Sequence, residues 1–414
     1  MSQSPKFPFD LISFSHLRWN FVFQRPQHLL SRAAANHERV FFFEEPIYEA
    51  ISEPALEIRT SPEQVIVAVP HLPEGTGHAA ATHAERELLD TMIAKWNIQN
   101  YVLWYYTPMA LSISRHLEPA LIVYDCMDEL SLFKNAPAEL IDNERELLSV
   151  ADLVFTGGQS LYEAKKDRHP DVHAFPSSID FEHFSQARKI AKSHRPDPED
   201  QRAIPHPRMG YCGVIDERLD FELVAAMAKA RPDWQFVFLG PIVKIDPNSL
   251  PRFSNIHYLG QKDYNELPHY LACWDVAMMP FAKNDATRFI SPTKTPEYLA
   301  AGKPVVSTSI RDVVRPYGEL GLVEIADSPD DFIRAAATCG MDEGALPIDW
   351  LERVDRFLAQ TSWQKTWEEM SKLMACAIEQ KSEGSQVPNE KNDSETDFLL
   401  DNNASETAFS AEVA

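Results

Sequence analysis

Cysteine is scarce in this sequence and follows no pattern. The 414 residues contain five cysteines, none of them in a C-x-x-C pair. An odd number of scattered cysteines argues against a disulfide framework or a zinc knuckle and predicts reduced thiols in a cytoplasm. The cysteines are most simply interpreted as small buried hydrophobes. They are Cys126, Cys212, Cys273, Cys339 and Cys376.

Glycine is also scarce, and long apolar runs are missing. Neither G-x-G-x-x-G nor G-x-x-x-x-G-K-[ST] occurs among the 14 glycines, which argues against a dehydrogenase and a nucleoside triphosphatase. No apolar run is long enough to cross a bilayer, and the N-terminus does not resemble a secretory signal. We therefore expect a cytoplasmic protein and leave open peripheral association with the inner face of the membrane.

Positive charge is in deficit, since the formal net charge is -23. Nucleic acid is therefore excluded as an expected partner, because phosphate backbones require a basic surface. Residues 381–414 contain two lysines against eight acidic residues, with many small polar ones. This composition predicts a disordered acidic tail.

Apolar runs of strand length alternate with helical periodicity through most of the chain. This alternation predicts an α/β fold with two Rossmann-like domains, each built on a parallel sheet that is covered on both faces. A polar, proline-rich stretch divides the two series and predicts a linker. The predicted parts are a first domain (1–185), the linker (186–208), a second domain (209–362), an amphipathic helix (363–380) and the tail (381–414).

The segment FISPTKTPEYLAAGKPVVST, at residues 289–308, is the most informative for function. Thr295 is a natural helix N-cap, Pro296 suits the first helical position, and Gly302 ends the helix. A turn rich in hydroxyls before a helix start, with the ammonium of Lys294, offers the groups that a diphosphate needs. A capped surface helix with an exposed lysine explains the same pattern.

The string PEYLAAGKPVVST within this segment resembles the E-x-x-A-x-G-x-P-V-V stretch of glycosyltransferase family 4, whose members have the two-domain GT-B fold. The resemblance implies that Glu297 binds the ribose of a nucleotide-sugar donor. It also implies that Ser291, Thr293 and Lys294 hold the diphosphate. In this fold the two domains face each other across a cleft, and the last helix returns to the first domain.

Further segments are similar to the family in the expected order. Gly210–Gly213 followed by Arg218 resembles the first strand and loop of the donor domain, which assigns Gly213 and Arg218 to the diphosphate. Asn255–Gly260 resembles the strand whose following loop meets the base. The segment FSHLRWNFVFQRPQHL resembles bacterial transferases that build cell-envelope polysaccharides of the teichuronic-acid type.

Two positions depart from the family pattern. Phe289 stands where a second glutamate usually contacts the donor sugar, and Val214 replaces a common arginine, for which Arg218 is the expected substitute. No D-x-D follows a strand. We therefore expect no metal and no cofactor, the nucleotide-sugar being the substrate and its diphosphate being neutralised by cations and a helix dipole.

Two polar clusters of the first domain are candidates for binding the acceptor. His16, Arg18, Arg25 and His28 lie between the first strand and the first helix, where they fit an acceptor or cleft site. A stacked surface loop is an equal alternative.

The second cluster follows a strand and contains Asp125 and Asp128. Its place resembles the family's acceptor site, with Tyr124 where histidine is common. Either aspartate is a candidate to orient or deprotonate the acceptor hydroxyl, which requires a carboxylate within hydrogen-bond reach. The alternative is an N-cap for the next helix, which applies to Asp128 above all.

Together these observations predict a hexosyltransferase-type glycosyltransferase. Its partners would be a nucleotide-sugar donor and a glycan or lipid-linked acceptor, and the resemblance implies retention of the anomeric configuration. Two alternatives remain, namely a nucleotide-sugar epimerase on the same fold and a non-catalytic nucleotide-binding scaffold. The sequence leaves the base, the sugar, the acceptor and the oligomeric state open.

Overall fold

The computed structural model describes residues 8–36, 39–193, 197–342 and 344–384, which form two α/β domains. This is the predicted fold class. Residues 385–414 of the predicted tail lie outside the described residues, whereas residues 381–384 continue the last helix. Among the described helices, none is long and apolar enough to cross a membrane.

The strands form the centre of each domain. In chain order they are β1 (Asp10–Ser15), β2 (Val40–Glu44), β3 (Ile47–Glu49), β4 (Ala55–Thr60), β5 (Ile66–Pro73), β6 (Tyr101–Tyr105), β7 (Leu121–Cys126), β8 (Leu153–Thr156), β9 (Val172–Ala174), β10 (Arg208–Cys212), β11 (Gln235–Leu239), β12 (Ile256–Tyr258), β13 (Val276–Met279), β14 (Val305–Ser307) and β15 (Glu324–Ile325).

The α-helices cover the faces of the sheets. In chain order they are α1 (Arg25–Asn36), α2 (His78–Lys95), α3 (Leu111–Ser114), α4 (Glu139–Val150), α5 (Gln159–Lys165), α6 (Phe181–Ala191), α7 (Phe221–Ala230), α8 (Leu267–Ala272), α9 (Lys294–Ala300), α10 (Arg311–Val313), α11 (Pro329–Ala336), α12 (Trp350–Leu358) and α13 (Trp363–Gly384).

Six strands of the first sheet, β5-β2-β1-β6-β7-β8, repeat the strand order of the second sheet. In the described part of the chain the first sheet runs β3-β5-β2-β1-β6-β7-β8-β9, with β4 added antiparallel to β5. The second runs β12-β11-β10-β13-β14-β15, and all its pairings are parallel. The order reverses beside β1 and beside β10, so a crevice opens beyond the carboxyl ends of these strands, where α/β proteins bind ligands.

The central strands formed as predicted because they are apolar on both faces. All residues of β1, β2 and β6 are buried, as are those of β11 and β13. Strand β4 was not predicted from the sequence. Its residues ALEIRT are exposed or half-buried at the margin of the sheet. Such a strand lacks the continuous apolar run that identifies a central parallel strand.

The predicted linker is partly helical. Helix α6 spans Phe181–Ala191 and therefore crosses residue 186, the predicted start of the linker. Asp180 accepts a hydrogen bond from the His183 backbone N–H and caps this helix. Phe184 and Ala187 pack into the core of the second domain. The polar residues around them in the sequence did not indicate this burial. At the other end of the predicted linker, Arg208 is the first residue of β10.

Helix α13 packs against the first domain. Trp363, Trp367, Met370 and Met374 are buried in the same apolar cluster as residues of β1, β6 and α1. Near the end of the helix, the ammonium of Lys381 lies 2.9 Å from a carboxylate oxygen of Asp152, which precedes β8. The chain thus crosses twice between the domains, through α6 and through α13.

Candidate functional site

A cavity of about 270 Å³ lies between the two domains at the carboxyl edge of the second sheet. The first domain contributes residues 19–23, which precede α1. The second contributes the ends of β10 and β11 and residues 261–264 after β12. This is the crevice where the strand order reverses. The loop after Gly260, which the resemblance assigns to the base, lines it.

Two glycines bring the ends of β10 and β11 into close contact. Gly213 has φ +147° and Gly240 has φ +144°, in a region that side-chain-bearing residues rarely adopt. A Cβ on Gly240 would overlap the carbonyl oxygen of Gly213. A Cβ on Gly213 would lie 2.6 Å from Nζ of Lys294, so glycine leaves its backbone open beside a cation.

Lys294 and Arg218 place positive charge beside this backbone. Within the described residues, Lys294 has no carboxylate within ion-pair distance, and its ammonium lies 5.5 Å from the ring centre of Tyr211. Burial and the neighbouring Arg218 lower the pKa of Lys294. Arg218 forms a two-pronged pair with Asp216, with an Nη2–Oδ2 distance of 2.7 Å. Lys294 is therefore the cation with free capacity for an anion.

Glu297 lies on the first turn of α9, close to Lys294. Burial raises its pKa to about 8, an effect that Lys294 opposes and Asp180 reinforces. The helix begins two residues earlier than predicted, at Lys294, so Thr293 and not Thr295 occupies the N-cap position. Thr295 is fully buried because its side chain turns toward Met279.

The turn before α9 contacts the first domain. The backbone oxygen of Ser291 accepts a hydrogen bond from the Ser177 hydroxyl at 2.5 Å, and Ser291 packs against Gly158. The side chain of Thr293 forms no capping hydrogen bond. The structure thus brings Gly213, Lys294 and Glu297 together with Arg218, whereas Ser291 serves the contact between domains.

Asp128 faces these cations from the first domain. It is partly buried, and its electrostatic neighbours include Arg218, Asp216 and Lys294 of the second domain. Burial raises its pKa to about 6, and the three nearby cations only partly offset this effect. A carboxyl group with this pKa, in the cleft, fits the predicted role of a proton acceptor near neutral pH.

The raised pKa of Asp128 predicts a pH-dependent contribution to stability. The folded state retains a proton that the unfolded chain releases near pH 4, so this contribution is complete below about pH 4 and is lost as the pH rises through 6. Between these limits we expect the wild type to lose on the order of 1–2 kcal/mol more stability than Asp128→Asn. Urea unfolding of both proteins across this range measures the difference. Parallel profiles would contradict the raised pKa.

Asp125 does not face the cleft, contrary to its predicted role. Its carboxylate is fully buried and accepts three hydrogen bonds from Arg25, with the shortest at 2.8 Å. Arg25 also donates to the backbone oxygen of Phe175 at 2.7 Å. Asp125, predicted to be catalytic, and Arg25, predicted to lie in the cleft, thus form one buried ion pair that joins α1 to β7.

His28 was likewise predicted in the cleft but lies inside the protein. Its ring stacks on Trp363 of α13 with a centroid distance of 4.7 Å and an interplanar angle of 8°. It also meets Phe23 and Tyr264 edge-on. Burial holds the pKa of His28 well below its ordinary value, with Arg32 and His183 adding to the effect. A neutral, stacked imidazole here joins α1 to α13.

Of the loop after β1, His16 remains near the cleft. Burial, with a smaller contribution from Lys244 of the second domain, lowers its pKa to about 4. Arg18 instead braces the end of β2, because it donates to the Glu44 carboxylate at 3.0 Å and to the backbone of Glu45 and Pro46. Of the four predicted residues, Arg18, Arg25 and His28 are engaged within the protein, so His16 alone stays a candidate for the cleft.

Lys244, which lies in the loop after β11, was not predicted as a site residue. Its ammonium lies 5.9 Å from the ring centre of Phe133 in the first domain, and Arg218 lies 5.7 Å from the same ring. The sequence offered one indication of this role, namely a lysine in the loop that follows a predicted strand. Phe289, where a glutamate was expected, packs against the apolar core of the first domain.

These features define a class of protein. Two Rossmann-like domains face each other across a cleft, and a cavity that is lined in part by Gly213 and Gly240 lies at the carboxyl edge of the second. This is the architecture of a GT-B glycosyltransferase.

Comparison with known proteins leads to the same class. Residues 206–342 match the family model described as "Glycosyl transferases group 1". The chain is 27% identical over 276 residues to the putative teichuronic acid biosynthesis glycosyltransferase TuaH of Bacillus subtilis (strain 168), covering 61% of this chain and 67% of that protein.

Two solved structures show the fold over most of the chain. The sucrose-phosphate synthase of Thermosynechococcus elongatus has a TM-score of 0.62 at 14% identity, covering 91% of this chain and 100% of that chain. Anabaena HepE in complex with UDP and glucose has a TM-score of 0.63 at 12% identity, covering 89% and 100%. The predicted GT-B fold and the predicted glycosyltransferase class are confirmed.

Proposed function

We propose that the protein transfers a sugar from a nucleoside-diphosphate-sugar to a hydroxyl of a glycan or lipid-linked acceptor, with retention and without a metal ion. The observation that supports this most directly is the ammonium of Lys294, which has no ion pair in the described part of the chain and lies beside the open backbone of Gly213. The cavity of about 270 Å³ continues from this point.

The donor fits this site by its charge. As the bond to the sugar breaks, negative charge develops on the departing diphosphate, and fixed cations in a cleft stabilise it without reorganisation. Lys294 and Arg218 supply that charge, and Glu297 is placed to accept hydrogen bonds from ribose hydroxyls. Retention rests on the resemblance to family 4, and an envelope polysaccharide as the product rests on the similarity to TuaH.

The acceptor side is the first domain. Asp128 approaches the cations from across the cleft, and its pKa of about 6 allows it to accept a proton from the acceptor hydroxyl. His16 lies in the same cleft as a neutral imidazole. Closure of the two domains would exclude the water that otherwise hydrolyses the donor.

Incubation with UDP-, GDP- and ADP-sugars tests the reaction. Release of nucleoside diphosphate with the sugar retained in configuration supports the proposal. Interconversion of the intact donor would identify an epimerase, and binding without turnover a scaffold. Thermal-shift measurements with the three diphosphates identify the base, because a ligand that binds only the folded state stabilises it.

Lys294→Met is expected to weaken nucleoside-diphosphate binding at least about tenfold, because a charge-assisted hydrogen bond to phosphate is lost. Isothermal titration with the diphosphate that stabilises the wild type gives the affinity. Lys283→Met is the matched control, since Lys283 is exposed and pairs with Asp327 on the surface. Equal affinities in the two variants would remove Lys294 from the donor site.

A further inference from the structure

A second cavity, of about 290 Å³, lies in the first domain beyond the carboxyl ends of β1, β2 and β6. Ser15, Glu44 and Thr107 line it at or just beyond these strand ends, and Thr82 and Glu85 line it from α2. Its apolar wall includes Phe14 and Phe43, and further hydroxyls come from Tyr48 and Ser112. A concave site with an apolar wall and a few polar groups suits a small organic ligand.

The ionisable groups that line this cavity are mostly carboxyl groups, and His78 is the one basic side chain in its described lining. Among the described residues that line it there is no lysine and no arginine, while three glutamates are present. Glu44 is occupied, because it accepts from the Trp19 backbone N–H at 2.8 Å and from Arg18 at 3.0 Å.

The side chains of Glu45 and Glu85, in contrast, have no hydrogen-bond or ion-pair partner in the described part of the chain. Burial raises the pKa of Glu85 to about 7, and the carboxylate of Glu45 adds to this shift. Glu45 is exposed to solvent, and partial desolvation beside the cavity raises its pKa, although Arg18 and Lys244 oppose this shift. The two carboxyl groups are therefore near enough to interact electrostatically. Both are free to accept hydrogen bonds from a ligand.

The cavity is connected with the cleft between the domains. Lys244 of the second domain is an electrostatic neighbour of Glu45 at the cavity and of His16 in the cleft. The cationic groups of Lys244 and of Arg218, a proposed donor-binding residue, both lie over the ring of Phe133. The cavity thus lies on the side of the first domain that faces the donor site.

We propose that this cavity receives the acceptor, and that Glu45 and Glu85 restrict it to a sugar group that carries no phosphate or carboxylate. The inference rests on the proposed function. Hydroxyl and ammonium groups of a sugar donate hydrogen bonds to carboxylates, whereas an anionic group would meet the negative charge of this carboxyl pair, with no lysine or arginine in the described lining of the cavity. The acceptor end of the substrate is therefore neutral or amino-substituted.

Binding of three monosaccharide probes to the full chain, saturated with UDP, tests the selection. The probes are methyl glucoside, glucosamine and glucose 6-phosphate, and nuclear magnetic resonance titration gives their dissociation constants. We expect glucose 6-phosphate to bind at least about tenfold more weakly than glucosamine. In Glu45→Gln/Glu85→Gln this preference should fall about tenfold, because the negative charge of the carboxyl pair is removed.

Glu87→Gln is the matched control, since Glu87 lies on the exposed face of α2 beside His83 and should leave the preference unchanged. Thermal unfolding and UDP affinity show that each variant is folded, and Glu85→Gln alone replaces the double variant if that one does not fold. Equal binding of glucose 6-phosphate, an unchanged preference in the variant, or no binding of the other two probes would overturn the inference. GDP or ADP replaces UDP if only that diphosphate binds, and failure of all three diphosphates to bind the wild type would instead overturn the proposed function.

Discussion

Replacing Asp125 with alanine is expected to lower the free energy of unfolding by about 3–5 kcal/mol, because the Arg25 guanidinium would stay buried without its partner. The two side chains are 0% and 3% exposed, and three hydrogen bonds join them. For domains of this size the loss corresponds to a fall in melting temperature of about 10 °C. Urea unfolding followed by circular dichroism measures it.

Two controls separate the ion pair from other effects of the change. Asp142→Ala removes an exposed partner of Arg145 on α4 and should cost less than about 1 kcal/mol. Arg25→Met combined with Asp125→Leu should cost less than Asp125→Ala alone, since neither charge is left unpaired. Full stability of Asp125→Ala together with loss of sugar transfer would contradict this structural role and support a catalytic role for Asp125.

Gly240→Ala is expected to abolish nucleoside-diphosphate binding and to destabilise the second domain by about 3 kcal/mol or more. The added Cβ would overlap the carbonyl oxygen of Gly213, and φ at Gly240 is +144°. Relief requires the ends of β10 and β11 to separate. That movement displaces Gly213 from Lys294, where we propose that the diphosphate binds.

Gly260→Ala is the matched control for this prediction. Gly260 has φ +73°, but nothing lies within 4 Å of an added Cβ. It should therefore cost only the backbone strain, about 1–2 kcal/mol, and leave nucleotide affinity close to that of the wild type. Thermal unfolding and calorimetric titration of both variants provide the comparison. Wild-type affinity in Gly240→Ala would show that the contact between the two glycines is dispensable.

The donor half of the candidate site was predictable because its residues are close in sequence. Lys294 and Glu297 lie three positions apart, at the start of one helix, and local sequence is sufficient to place them on one turn. Gly213 and Arg218 follow a single strand in the same way. Their assignment to the donor remains a prediction, whereas the GT-B fold to which they belong is confirmed.

The acceptor half was less predictable because its polar residues interact over long distances in the chain. Arg25 and Asp125 are 100 positions apart, and both were assigned to the cleft before their pairing was known. No local pattern distinguishes an arginine that meets a substrate from one that meets a buried carboxylate. The free carboxyl groups at Glu45 and Glu85 were overlooked for the same reason, since they meet only when α2 packs beside the end of β2.

The sequence by itself determined the alternation of apolar strands and helices, and with it two parallel sheets, because burial on both faces demands continuous apolar runs. It also determined the turn before α9. Only the tertiary structure decided that α6 joins the second core and α13 the first. It likewise decided which polar groups are paired and buried and which are left free, because these outcomes depend on how distant elements pack against each other.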